Sequence, residues 1–437
     1  MNIRNGLQKY KATAGTTICT PYGTLKIKIF LAILICFKSA VKKNPSTPSD
    51  ISKKRYTSLS DSVQAEVEPA EVVIHFKMRV RIITLIQFAF PFLKFSRSRY
   101  SKSCSVDSVQ SMSDLYPRAW ISAQNPALFK AQKYKSLTTV QFNILADGLS
   151  GNDKNKGGFT NSPLESLDWS YRKNRIVEEI MRHFENESPP DVIAMEEVDH
   201  YHDFFQPTLQ ALGYESRYIK KPNSPCRNSL DPSLEDGCAL FWRGDRLALV
   251  DTETMNYDKL SPDGVATGSK SNQVALLATL LAPGAGPAVF AVTHLAASKT
   301  AEGERTRAQQ VTQLLDRLLA LRLPCVVLAD LNATPRPSGG YACEAYPAAL
   351  AHPLGVRSAY AGACEGEEPA YTTWKRRGAA ETRHTIDYIL VSGGVGVARV
   401  LLAPADGDVA AERLPGWRYP SDHVALAAEL RLPPAGC

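Results

Sequence analysis

No pair of cysteines in this chain has the CxxC spacing, and the nine present (positions 19, 36, 104, 226, 238, 325, 343, 364 and 437) are odd in number and widely spread. That argues against a zinc site or a disulfide framework and suits a reducing compartment. Long apolar runs are also missing. The run Ile29 to Phe37 has nine residues, well short of the roughly 18 that a membrane-spanning helix needs. No Asp or Glu occurs between Met1 and Ser49, and no internal repeat is apparent. With 437 residues, 44% hydrophobic and 22% charged, the composition excludes collagen and disorder throughout, and the chain is long enough for a sizeable core.

The formal charge of +7 is unevenly placed. Residues 1 to 110 hold 18 Lys and Arg against 6 Asp and Glu, and the rest of the chain holds 33 against 38. The basic character therefore belongs to a leader, where acid-poor composition is typical of transit peptides. A second apolar stretch, Ile82 to Leu93, is interrupted by Thr84, Gln87 and Pro91 and flanked by Arg and Lys, which suits an interfacial helix better than a span. The Ser-rich segment 96 to 113 reads as a linker. The expected organisation is a leader and linker over 1–116, largely without stable order and able to contact a membrane or import machinery, joined to a catalytic domain over 117–437. Cytoplasmic and mitochondrial locations both fit.

Within the domain, short apolar runs alternate with helical periodicity. Val140, Phe142 and Ile144 alternate as in a half-buried strand, and Ile176, Val177, Ile180, Met181 and Phe184 share one helix face. Further strands are expected at Val192 to Met195, Cys238 to Trp242, Val274 to Leu281, Val289 to Val292, Cys325 to Leu328, Ile386 to Val391 and Val424 to Leu430. A second amphipathic helix carries Val311, Leu314, Leu315, Leu318 and Leu319. Many strands with few helices predict an α/β fold in which two sheets pack as a sandwich covered by helices.

Polar residues sit in or beside the ends of those strands: Asn143 in QFNILA, Glu197 in MEEVDHY, His294 in VTHL, Asp330 and Asn332 in LADLNATP, Asp387 in HTIDYI, and Asp422 and His423 in YPSDH. Such groups are poor core material, because a buried unpaired carboxylate is costly. Alone, each island reads as a cap or turn. Together and in this order, the six resemble the endonuclease/exonuclease/phosphatase family, in its deadenylase-like branch.

The resemblance implies a magnesium-dependent hydrolase. Mg2+ takes one or two carboxylates and completes its shell with water and substrate oxygens. Glu197 is the principal implied ligand, with Asp422 nearby and Asn143 holding metal-bound water or a phosphate oxygen. Asp330 orients or deprotonates the attacking water. Asn332, expected on the same side of an extended strand, donates to phosphate, as does His294. His423 acts as base or as a charge-stabilising imidazolium, with Asp387 on its other nitrogen; Asp330 and His423 both remain open as the proton acceptor. Lys221 and Arg383 are the implied substrate-binding cations.

Longer strings, including PLESLDWSYRKNRI, DGCALFW and RLPGWRYPSDH, narrow the likeness to a subgroup that removes the 2′-phosphate from NADP+ and NADPH. An alternative for that subgroup is 3′-5′ degradation of poly(A) in mRNA turnover, and a third reading is a catalytically weak RNA-regulatory protein. A monomer is expected. In one place the chain departs from the subgroup: HLAAS places Ala296 and Ser298 where two cations are usual, and Lys299 is the available substitute. Glu196 is expected on the surface or in a second layer, Trp374 in the core rather than stacked on a base, and the arginines of the helix within 301–323 on a solvated face.

Overall fold

The computed structural model describes residues 114–123, 134–151, 153, 157–184, 188–229, 231, 233–261 and 263–435, together with a backbone ladder pairing Cys19–Thr20 with Gly23–Thr24. The apolar runs at 29–37 and 82–93 lie outside the described residues. Two compact units divide between Val106 and Asp107, and the second carries all of the candidate site residues. Its packing begins before Pro117: Tyr116 is buried and stacks on Tyr419, and Asp114 pairs with Arg175.

The domain is an α/β sandwich of two mixed sheets, as expected. One sheet has seven strands in the order Trp120–Ser122, Gly396–Leu401, Leu426–Leu432, Lys135–Asn143, Val192–Glu196, Gly237–Arg243 and Tyr214–Lys220. The other has six: Arg357–Ser358, Asp387–Val391, Cys325–Asp330, Pro287–His294, Ala266–Leu281 and Ala248–Leu260. Alternation along each strand builds the layers. Val192, Ala194, Leu240 and Trp242 join Leu276, Phe290, Leu328 and Ile389 in the core between the sheets. The intervening Ile193, Met195 and Phe241 pack outward on Ile176 and Ile180 of the helix Trp169–Met181. Val289, Ala291 and Val327 face Val311, Leu314 and Leu318 of the helix Ala301–Leu321.

Each central pair of strands is parallel and is connected through a helix. Lys135–Asn143 runs with Val192–Glu196, aligning Asn143 with Glu196, and Pro287–His294 runs with Cys325–Asp330, aligning His294 with Asp330. Parallel strands joined by helices leave their carboxyl ends at one edge, where ligands bind in open α/β sheets. Both helices start on side-chain caps: Asp168 accepts from the Ser170 amide and Thr300 from the Gly303 amide. Gly303 is needed there, since a Cβ would lie 2.3 Å from the Ser298 carbonyl oxygen. Among the described residues no helix is long and apolar enough to cross a membrane.

Candidate active site

At the strand ends a concave pocket of about 620 Å³ is lined by Glu197, Lys221, His294, Lys299, Asp330, Asn332, Asp422 and His423. Two of these groups reach it through left-handed backbone at non-glycine residues, Glu197 with φ 58° and Asn332 with φ 50°. Such conformations cost about 1–3 kcal/mol and persist where the surroundings over-determine them. Local bonds do so here. The Ala146 amide donates to Glu197 Oε2 at 3.2 Å, and the Asn332 amide donates to Asp330 Oδ1 at 2.8 Å. Asn332 thus enters the pocket through a turn past the strand end, not by strand alternation.

Asn143 does not line the pocket. It is wholly buried behind it, donating from Nδ2 to Glu197 Oε1 (3.2 Å) and Asp330 Oδ2 (3.0 Å) while its Oδ1 accepts from the Leu145 amide. Its amide braces two carboxylates, so in this arrangement Asn143 supports the site from behind. Glu196 is also wholly buried, which fits the second-layer place and not the surface one. It shares its face of the strand with Val192 and Ala194, which pack between the two sheets. Gln141 donates to it at 3.0 Å, and burial together with Asp387 and Asp330 pushes its pKa well above the usual carboxylate range.

Asp387 lies behind His423. Its Oδ2 is 2.9 Å from His423 Nδ1 and accepts from the Thr372 hydroxyl at 2.6 Å, while Gln141 donates to its Oδ1 at 3.2 Å. Burial would lower the His423 pKa, but Asp387 and Asp422 outweigh it and raise it to about 9. Asp330 moves up to about 7, through burial and the charge of Asp387, against the opposing pull of His423. His294 is held well below its ordinary value by burial and by Lys221 and His423, so its ring is neutral. Lys221 Nζ stands 3.4 Å from Nδ1 and Asn332 Nδ2 stands 2.9 Å from Nε2; both can only donate, so the single acceptor nitrogen of a neutral ring serves one of them, and Asp330 Oδ2 lies 3.4 Å from Nε2.

The cations are arranged differently from expectation. Lys221 lines the pocket and pairs with buried Asp236 at 2.6 Å. Arg383 lies outside it, over the Trp374 ring and paired with Asp406 at 2.6 Å. The reason is register: in the hairpin Thr373–Arg377/Ala380–His384, Arg383 stands opposite Trp374, and Lys375 opposite Thr382 faces the pocket instead. Lys375 and Arg377, which the sequence does not single out, contact Asp422 Oδ2 at 2.5 and 3.3 Å. Burial would raise the Asp422 pKa, but Lys375, His423 and Arg377 hold it well below the usual carboxylate range. Trp374 is buried in the core, its Nε1 donating to Glu381, so it is not a stacking platform.

Two buried arginines position the site. Arg172 Nη1 donates to the carbonyls of Ile144, Leu145 and Pro420, tying the segment after Asn143 to the segment before Asp422. Arg307 pairs with Glu304 and donates to the carbonyls of Ala296 and Ser298, fixing the loop that carries Lys299. Arg307 is therefore no part of a solvated face. Buried guanidiniums inside amphipathic helices have no signature beyond the WSYRK string and the GERTR helix start.

The donor set accepts a hard divalent cation. Glu197 turns its carboxylate to the pocket with acceptor capacity left over, and Asp330, Asp387 and His423 offer ligand atoms within 4.8 Å of one another. Asp387 is already engaged by His423, Thr372 and Gln141, which leaves Glu197 as the better anchor. Carboxylates, a relay histidine and cations converging at strand ends match what phosphoester hydrolysis requires. Residues 140–423 match the model of the endonuclease/exonuclease/phosphatase family.

The chain belongs to that family. It is similar to nocturnin of Xenopus laevis, 38% identical over 308 residues that cover 68% of this chain and 73% of the relative. Nocturnin of Homo sapiens is 36% identical over 302 residues, covering 67% of this chain and 64% of that protein. Among solved structures, the human nocturnin catalytic domain with bound sulfate matches with TM-score 0.54 and 32% identity, over 72% of this chain and 97% of that one. Membership of this family makes the chain a hydrolase of the phosphatase or nuclease kind, with divalent-metal chemistry.

Proposed function

We propose that the protein is a magnesium-dependent phosphatase that removes the 2′-phosphate of NADP+ and NADPH, giving NAD+ and NADH. The observation that carries this reading is the lining of the pocket: four cations (Lys221, Lys299, Lys375 and Arg377) and, among the described residues, no Phe, Tyr or Trp. A compact cation set suits the clustered phosphates of a small nucleotide, whereas an RNA track would want aromatic faces on which successive bases stack. A phosphate-like anion, sulfate, is bound in the human nocturnin domain.

In this reading Glu197 would hold Mg2+, which would polarise the phosphoryl group and offset the charge that develops on it. Both pKa values are raised, Asp330 to about 7 and His423 to about 9, which favours an ionised Asp330 as the base and a protonated His423 as the acid. Asp330, ionising near neutral pH, accepts the proton of the attacking water. His423, kept protonated by Asp387, donates to the ribose 2′-oxygen as its bond to phosphorus breaks. Neutral His294 and the Asn332 amide orient the phosphoryl oxygens, and Lys221 adds positive charge beside them. Asn143 keeps Glu197 and Asp330 aimed.

The test is phosphate release from NADPH by the full chain in magnesium. Release is expected to stop with EDTA, return with added Mg2+, and fall at least a hundredfold in Glu197→Ala. Release that survives both EDTA and the substitution overturns the metal-dependent reading.

A further inference from the structure

Lys375 and Arg377 alternate with Trp374 and Arg376 along one strand of the hairpin, so the two cations share the face turned to the pocket. That face is fastened to one residue. The Thr373 hydroxyl donates to the Asp422 carbonyl at 2.7 Å, and Lys375 and Arg377 both contact the Asp422 carboxylate. Arg377 also lies over the Phe159 ring, 4.7 Å from its centroid. Lys299 completes the group from the loop that Arg307 fixes, and among the described residues it makes no ion pair. Burial together with Lys375 and Arg377 lowers the pKa of its ammonium. Two of the cations thus share one carboxylate, and Lys299 stands beside them without an ion pair of its own among the described residues.

Like charges gathered in a concave wall repel one another until an anion enters. Glu197 and Asp330 are braced by Asn143 and, among the described residues, make no ion pair with these cations. A phosphomonoester held against Glu197 and His423 does not meet this surplus either, because that phosphate is already matched by metal, Lys221 and imidazolium.

We propose that Lys299, Lys375 and Arg377 form a subsite for a second, non-reacting anionic group of the substrate, the bridging diphosphate of a dinucleotide. This rests on the reading of the site as an NADP(H) 2′-phosphatase. It assigns the place of the two cations replaced by Ala296 and Ser298 to Lys299 and the hairpin, and it makes the diphosphate the feature by which the enzyme prefers a dinucleotide over a 2′-mononucleotide.

The test compares NADPH with adenosine 2′-monophosphate as substrates, using wild type, Lys299→Ala, Arg377→Ala and the double variant; Lys375 is left in place because its loss would strand buried Asp422. The ratio of kcat/KM for NADPH to that for the mononucleotide should fall roughly tenfold or more in the double variant, through KM. ADP carries the diphosphate without the 2′-phosphate, so its calorimetric Kd should weaken by a similar factor. A ratio and an ADP affinity both within twofold of wild type overturn the subsite. If wild type releases no phosphate from NADPH, the parent reading fails, and the ADP measurement still decides for or against the subsite.

Discussion

His423 Nδ1 lies 2.9 Å from Asp387 Oδ2, and both groups are buried. The carboxylate fixes the ring so that Nε2 faces the pocket, and its charge keeps the ring protonated. Replacing Asp387 by Asn keeps the shape and removes the charge. Asp387→Asn should lower kcat by about a hundredfold or more, with KM for NADPH little changed. Steady-state kinetics on the folded variant check this, and a kcat within threefold of wild type counts against the relay.

The pH profile derives from His423 and Asp330. Activity needs Asp330 ionised, which is favoured above about 7, and His423 protonated, which is favoured below about 9. The profile of kcat/KM should therefore rise toward neutral pH and fall in the alkaline range. In Asp387→Asn the alkaline limb should move to lower pH, since the lost charge is what raised His423. An alkaline limb that stays in place would assign it to another group.

Arg172 joins two of the loops that make the site. Substituting it by Met leaves the Ile144, Leu145 and Pro420 carbonyls without their donor, a loss of about 3 kcal/mol or more in unfolding free energy. Urea unfolding measures that loss. Arg172→Lys should recover part of the stability but not the three-carbonyl geometry, so its kcat should stay below its share of recovered stability.

Glu179 offers a test of stability away from the chemistry. Burial would raise its pKa, but the His183 hydrogen bond and the charges of Arg118 and Arg182 bring it down to about 2 from an ordinary 4.5. A depressed carboxyl stabilises the fold above its unfolded pKa and loses that contribution as pH falls through the folded one. Glu179→Gln should thus cost about 3 kcal/mol near neutral pH, and the gap to wild type should shrink between about pH 4.5 and 2. Denaturant midpoints across that range check the slope. Because Tyr419 donates to the same carboxylate at 2.8 Å, the variant should also loosen the loop bearing Asp422 and His423.

Much of this architecture could be read from the sequence because the sandwich is built on strict alternation. Val192 to Met195 and Val289 to Val292 announce strands, and the polar residues at their ends announce the site. The hairpin Thr373–Arg377/Ala380–His384 escaped because it alternates cations with an aromatic residue and threonine and shows no apolar run. Without its register, Arg383 could not be told from Lys375 as the cation that faces the pocket. For Glu196 the sequence leaves the surface and a second layer both open, and only the packing of the two sheets decides for the second. Arg172 and Arg307 look like solvated charges on an amphipathic helix, and only tertiary contact shows that they are spent on carbonyls. Their neighbours Trp169 and Thr300, a helix start and a cap, do carry local signals.

The NADP(H) phosphatase reading is tested most directly by giving the full chain NADPH and poly(A) together in magnesium and measuring both products. Orthophosphate and NADH are expected in equal amounts while the RNA keeps its length, with both signals lost in Glu197→Ala. Shortening of the RNA from its 3′ end while NADPH stays intact would contradict that reading and make the protein a 3′-5′ exoribonuclease.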